Sequence, residues 1–252
     1  MNERQGRVRW LTLNRPERKN ALDPDTTLAL TEAIAESAQD EDTRVVVLTG
    51  AGSAFSSGAD LRSVSGSPHP SGKNMLDVVN ELILGVWNLP KPVIAAVNGV
   101  AAGVGCSLTL ASDIRLASST ARFSLIFVQR GLTVDGGASY FLPRLAGMRG
   151  MEMALTGEVI DAEEAFRLGL INRVIPEETF RAGVSEYAQR LAKNAPLALA
   201  AIKTSMHKAL GGNLAEVLTY EMAEQRRLTR SEDVREGIAA FLEKREPVYK
   251  GR

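Results

Sequence analysis

The chain has 252 residues, 30 basic against 30 acidic side chains and 44% hydrophobic content, the make-up of an ordinary globular protein. That composition excludes disordered and collagen-like chains, and a net charge of zero leaves no global field to attract nucleic acid or acidic membranes. The single cysteine, Cys106, cannot form an internal disulfide, and the charged opening residues do not read as a secretory signal, so a cytoplasmic location is expected. The longest apolar stretches, residues 93–97 and 100–104, are far shorter than the roughly 20 residues that span a bilayer, and no membrane segment is expected.

Residues 7–13 alternate polar and apolar side chains, as a strand buried on one face does, and Asn14-Arg-Pro-Glu17 breaks the pattern. Asp23-Pro24 opens a helix to about Gln39, because aspartate caps free amides and proline fits the first helical position. Residues 44–49 form a β-branched strand ended by Gly50-Ala-Gly52. The pattern then repeats with a helix over 75–88, a strand over 91–97, a helix over 103–111 and a strand over 113–117. Such alternation predicts an α/β domain with mostly parallel strands. Residues 63–73, rich in serine, proline and glycine and containing His69, are expected to be a mobile loop. Beyond about Glu163 strand signals nearly vanish, and helical spacing runs over 182–193, 197–210, 214–229 and 232–244. A helical tail with apolar stripes must pack on the first domain or on another copy of the chain.

Two segments put glycine where a strand gives way to a helix: Phe55-Ser-Ser-Gly-Ala-Asp-Leu61 and Asn98-Gly-Val-Ala-Ala-Gly-Val-Gly-Cys-Ser107. Glycine allows close backbone approach, and a helix N-terminus offers unpaired N–H groups at the positive end of its dipole. If the amides of Ala59 and Val104 converge they make an oxyanion hole, worth roughly 3 kcal/mol per donor. Either segment alone also reads as an ordinary turn with tight helix packing.

With Asn14-Arg-Pro-Glu-Arg-Lys-Asn-Ala-Leu22, Lys91-Pro-Val-Ile-Ala-Ala-Val-Asn-Gly99, Ala111-Ser-Asp113 and Glu236-Gly-Ile-Ala-Ala-Phe-Leu-Glu-Lys-Arg245, these segments resemble, in order and nearly end to end, the crotonase superfamily of enoyl-CoA hydratases and isomerases. The resemblance implies an α/β spiral of ββα units over residues 1–195 and a helical region over 196–252 that builds homotrimers, often paired into hexamers. It implies an acyl-CoA thioester whose carbonyl lies between the Ala59 and Val104 amides, beside Gly103. Coenzyme A, as part of the substrate, would lie along Arg18, Lys19 and Ala21 and over Ser57, Ala59, Asp60 and Leu61. Phe241 and Lys244 would reach the CoA of a neighbouring subunit. Taken alone, Lys19 and Lys244 read as ordinary solvated charges.

Hydration of a 2-enoyl thioester needs two acid/base groups, which the hydratases supply as glutamates. At the matching positions this chain has Ser107 and Phe127, and neither side chain is a base near neutral pH. The candidate that remains is Asp135, in Val134-Asp-Gly-Gly-Ala138. One carboxylate suffices for isomerisation: it removes a proton next to the thioester or its vinylogue, the oxyanion hole holds the (di)enolate, and the same group returns the proton elsewhere. Asp135 also reads as a helix N-cap, which would keep it ionised and weakly basic. Phe127 would line the pocket and raise the pKa of Asp135.

No metal or redox cofactor is called for, since backbone amides supply the electrophile. The competing readings are a non-catalytic acyl-CoA-binding protein, a hydratase using other residues, and a serine nucleophile at Ser107 without an evident histidine base. No dense basic helix with interleaved aromatics points to nucleic acid. Tyr140 and Glu81 are candidates for the acyl pocket, His207 for a surface or interface position, and Cys106 for a small buried side chain behind the oxyanion loop.

Overall fold

Asp23 caps the first helix as expected: its Oδ1 accepts the Thr26 N–H at 2.8 Å, and Pro24 takes the first helical position, where an N–H would have no acceptor. The computed structural model describes residues 1–64 and 72–252. It opens with β1 (Asn2–Gln5), β2 (Val8–Leu13) and this helix, α1 (Pro24–Gln39). Next come β3 (Val45–Gly50), β4 (Ala54–Ser56), a short α2 (Leu61–Val64) and α3 (Met75–Asn88). They are followed by β5 (Val93–Val97), β6 (Val100–Ala102) and α4 (Val104–Ala111). A third round has β7 (Ile114–Ser118), β8 (Arg122–Ser124), α5 (Ala138–Ala146) and α6 (Arg149–Thr156). Then β9 (Ile160–Asp161), α7 (Ala162–Arg167) and β10 (Arg173–Ile175) lead to the helical tail: α8 (Phe180–Ala192), α9 (Pro196–Ala209), α10 (Leu214–Leu228) and α11 (Glu232–Glu243).

The strands form two sheets, in the orders β1-β2-β3-β5-β7-β10 and β4-β6-β8-β9, parallel except where β1 meets β2 and β8 meets β9. Each strand pair is therefore split. β3, β5 and β7 enter the large sheet, and β4, β6 and β8 stack in the small one, which is the expected α/β spiral of ββα units.

The large sheet is buried on both faces, as a parallel sheet must be. Val46, Leu48, Val93, Ala95 and Val97 join the main core under α1, α3 and α4. Val45, Val47, Ile94, Ala96 and Leu116 face the other way, against Phe180, Val184 and Ala188 of α8. At about 25 cal/mol per Å² of apolar surface removed from water, these two layers supply the main driving force for folding.

The expected fading of strands near residue 163 is corrected by β10, which pairs parallel to β7 with Ile175 opposite Ser118. The three-residue strands β4, β6 and β8 also carry no periodicity of their own, and their partners hold them. The loop expected over 63–73 falls largely outside the described residues, and His69 wholly so. Along α9, α10 and α11, Ile202, Met206, Leu218, Met222, Ile238 and Phe241 are all exposed. Among the described residues no helix is long and apolar enough to cross a membrane.

Candidate active site

Four chain segments meet at the N-terminal end of α4. The first two are tied by a parallel bridge between Leu22 and Ala59, in which the Leu22 N–H donates to the Gly58 carbonyl at 2.8 Å and the Asp60 N–H donates to the Leu22 carbonyl at 2.7 Å. A parallel bridge of this kind uses the groups flanking Ala59, so the N–H of Ala59 itself points to the opposite side. Val104 is the first residue of α4, whose first intrahelical bond runs from the Ser107 N–H to the Gly103 carbonyl at 3.0 Å. The Gly103 N–H is taken by the Ser124 carbonyl at 2.9 Å. Among the described residues, no backbone acceptor takes the N–H of Ala59 or Val104.

These two donors belong to one rigid corner. Gly58 has φ of +96°, and a Cβ added to it would lie 2.8 Å from the Ala102 carbonyl oxygen and 3.5 Å from the Val104 nitrogen. A Cβ on Gly105 would meet the Ser56 carbonyl oxygen at 2.5 Å, so only glycine lets α4 start this close to β4. Phe127, 7% exposed, closes the corner from a short 3₁₀ turn over Ile126–Arg130; its Cζ lies 3.8 Å from where a Gly103 Cβ would sit.

Asp135 is the fourth contributor. The N-cap of α5 is Gly137, at φ of +76°, and it is the Asp135 backbone carbonyl that accepts the Ala138 N–H at 3.1 Å. The capping reading of the Asp135 carboxylate is therefore corrected. Among the described residues its buried Oδ1 has no hydrogen-bond partner, and burial pushes the carboxyl up to about 6. The following residue, Gly136, packs on Ser107 and Val104. A half-buried carboxyl whose Oδ1 has no donor among the described residues, on the segment that packs against the first turn of α4, is equipped to take and return a proton near neutral pH.

The chain matches the model of the enoyl-CoA hydratase/isomerase family over residues 3–252. The chain belongs to that family. A probable enoyl-CoA hydratase of Rhodobacter capsulatus is 42% identical over 247 residues, 96% of this chain and 94% of that protein. The 1,2-epoxyphenylacetyl-CoA isomerase of Escherichia coli K12 is 40% identical over 250 residues, 97% of this chain and 95% of that protein. The crystal structure of an enoyl-CoA hydratase from Bacillus anthracis superposes with a TM-score of 0.96 at 33% identity, covering 100% of this chain and 99% of the other.

In this hydratase/isomerase family member the expected CoA wall is contiguous. The Ser57 N–H donates to the Lys19 carbonyl at 2.9 Å and the Ser57 hydroxyl to the Arg18 carbonyl at 3.3 Å, so the exposed Arg18 and Lys19 stand beside Ser57. Ala21 is buried next to the bridge, and Leu61 is exposed at the start of α2. Asp60 is committed to structure: its carboxylate takes Arg15 at 3.2 Å and the Arg62 N–H at 3.2 Å. Phe241 and Lys244 lie at the C-terminal end of α11, both exposed, and within the chain nothing described joins them to this corner.

Two residues of the Asn14–Leu22 motif hold the corner in ways the sequence does not announce. The Arg15 guanidinium joins Asp23 at 2.9 Å, Asp60 at 3.2 Å and the Ala21 carbonyl at 2.7 Å. Asn20, left-handed at φ of 55°, accepts the Arg15 N–H at 2.9 Å and donates to the carbonyls of Ala51 and Ala54 at 2.9 and 2.7 Å. An asparagine that tolerates positive φ, just after a strand-breaking Arg-Pro, was the available signal.

The remaining candidates are dispersed. Ser107 is fully buried, and its hydroxyl donates to the Asp135 carbonyl at 2.9 Å; among the described residues no histidine bonds to it, which removes the support for a serine nucleophile. His207 is half-buried, and its ring stacks on Trp87 with centroids 3.3 Å apart. Tyr140 meets Trp87 edge-on, and Glu81 pairs with Lys73 at 2.7 Å. Cys106 is fully buried, and burial pushes its thiol up to about 12, which makes it inert.

Proposed function

We propose that this protein isomerises an acyl-CoA thioester, moving a double bond or opening a strained ring, with Asp135 as its single acid/base. The observation that carries this reading is the buried Oδ1 of Asp135, without a hydrogen-bond partner among the described residues, with the carboxyl raised to about 6 and the following Gly136 packed on Ser107 and Val104. A carboxyl with that affinity for protons can serve as base and then as acid in one turnover at neutral pH. The thioester oxygen sits between the N–H groups of Ala59 and Val104, which strengthen their hold as the enolate charge develops. Asp135 takes a proton from the carbon next to the carbonyl, or from its vinylogue, and returns it further along the (di)enolate.

Residues that match the two hydratase glutamates are Ser107 and Phe127, and neither can activate water. The 40% identical relative named as an epoxyphenylacetyl-CoA isomerase supports the same class of chemistry. Arg18, Lys19 and Ala21 hold the CoA moiety with Ser57, Asp60 and Leu61, and Phe241 and Lys244 reach the CoA of a neighbouring protomer. The exposed apolar side chains of α9 to α11 are buried in the homotrimer or hexamer this requires. Backbone N–H groups provide the polarisation, so the chemistry asks for no metal or redox cofactor.

The protein mixed with crotonyl-CoA, a 3-enoyl-CoA and deuterated water decides the matter by mass spectrometry. Double-bond migration with deuterium entering the α- or γ-carbon is the expected result. Conversion of crotonyl-CoA to a 3-hydroxyacyl-CoA would make it a hydratase, and tight binding without exchange would make it a binding protein.

A further inference from the structure

The side chain standing where a hydratase glutamate would be is not a vacancy filled at random. Ser107 lies in the first turn of α4, fully buried, and its Oγ donates to the backbone carbonyl of Asp135 at 2.9 Å, with the Gly103 carbonyl a longer 3.4 Å away. The Asp135 carbonyl also accepts the Ala138 N–H at 3.1 Å. Two donors from two helices thus fix one peptide group. Gly136, at φ of +56°, lies so close that a Cβ on it would come within 2.9 Å of the Ser107 Cβ. The 135–136 peptide rests directly on the serine.

The choice of acceptor matters. A hydroxyl donating to a carboxylate favours its charged form and lowers its basicity. Here the hydroxyl spends its proton on the main chain, and among the described residues Asp135 Oδ1 has no donor. Ser107 is fully buried with Gly136 packed on it, so a longer side chain that kept the direction of the serine hydroxyl would push the 135–136 peptide away. We propose that Ser107 is the positioning residue of Asp135. It fixes where the carboxyl stands by gripping its backbone, leaves the carboxyl itself undonated, and by its small size makes the single-acid arrangement incompatible with a glutamate at 107. This rests on Asp135 being the acid/base, and the test separates the two claims.

The experiment is a mutant cycle on 3-enoyl-CoA isomerisation with Ser107→Ala, Asp135→Asn and the double variant, each followed over pH with melting temperature as a control for folding. Ser107→Ala is expected to lower kcat on the order of 10- to 100-fold with little change in KM. Its acid limb should shift downward, as the loosened carboxyl turns to solvent. In the Asp135→Asn background the same change should cost less than about twofold, because its effect runs through the missing carboxyl. Equal losses in both backgrounds, or a Ser107→Ala enzyme with parental kcat and acid limb, would overturn the positioning role. Full activity of Asp135→Asn would instead overturn the acid/base reading. Ser107→Cys, similar in size and a weaker donor, provides the same comparison if the alanine variant melts too low. Ser107→Glu should lose isomerisation without gaining hydration; hydration of crotonyl-CoA by it would refute the incompatibility.

Discussion

The Lys203 ammonium lies 2.8 Å from the Asp113 carboxylate, and both side chains are largely buried. Lys203 also donates to the carbonyls of Val86 and Lys91 at 3.1 and 3.3 Å, while Asp113 accepts the Val93 N–H at 2.8 Å and faces His207 at 3.5 Å. One lysine thereby joins α9 to the end of α3 and the entry to β5. Lys203→Met should destabilise the protein by about 3–5 kcal/mol in urea unfolding, since Asp113 would stay largely buried without its ammonium partner. Adding Asp113→Asn should recover part of that loss.

The rate should report Asp135 directly. On the proposed reading isomerisation needs the carboxylate, and burial raises the carboxyl of the free protein to about 6. The kcat/KM for a 3-enoyl-CoA should therefore fall as pH drops through about 6 and be level above it. A limb near pH 4 would point to an ordinary exposed carboxylate instead. Asp135→Asn should lower the rate on the order of 10²- to 10⁴-fold.

The same group has an opposite signature in stability. Its folded value of about 6 lies above the ordinary carboxylate value of 3.8, so the folded state favours the protonated form. Stability from this group is present below about pH 4 and is lost as pH rises through about 6. Asp135→Asn, which carries no charge, should be more stable than the parent at pH 8 by about 1–2 kcal/mol after allowance for partial solvent screening, and the gap should close below pH 4. Chemical denaturation at the two pH values measures it.

Gly105→Ala tests the proposed oxyanion role of this corner without touching any side-chain chemistry. The new methyl would meet the Ser56 carbonyl oxygen at 2.5 Å, a backbone atom that cannot swing aside. Displacing the start of α4 should lower kcat by about 10²–10³-fold if the Val104 N–H leaves its position, with melting temperature reporting the packing cost separately.

What sequence reasoning captured and missed follows from how local each signal is. The alternation of strands and helices is legible because β3 and β5 are β-branched runs, and the glycine segments at 58 and 103–105 mark strand-to-helix corners. The small sheet is not, since Arg122–Ser124 is a strand only because Val100–Ala102 lies beside it. Asp135 before two glycines fits a cap and a free acid equally well, and the left-handed Gly137 at the head of α5 decides between them. The stacking of His207 on Trp87 is not legible, because nothing near either residue in the chain announces a partner so far away in sequence. Arg15 was legible as part of a motif, but its three partners come together only in the fold.

The free N–H groups of Ala59 and Val104 belong to the main chain, held by a bridge and a helix start. A peptide group has no codon of its own. Point substitution can exchange an acid for a serine or a phenylalanine and leave these donors where they stand. On the proposed reading, the polarising half of the site is inherited with the topology, and the proton-handling half is rewritten by a few nucleotide changes. Descendants of one ancestral fold can then diverge in the reaction they perform while keeping the same way of drawing electrons toward a carbonyl.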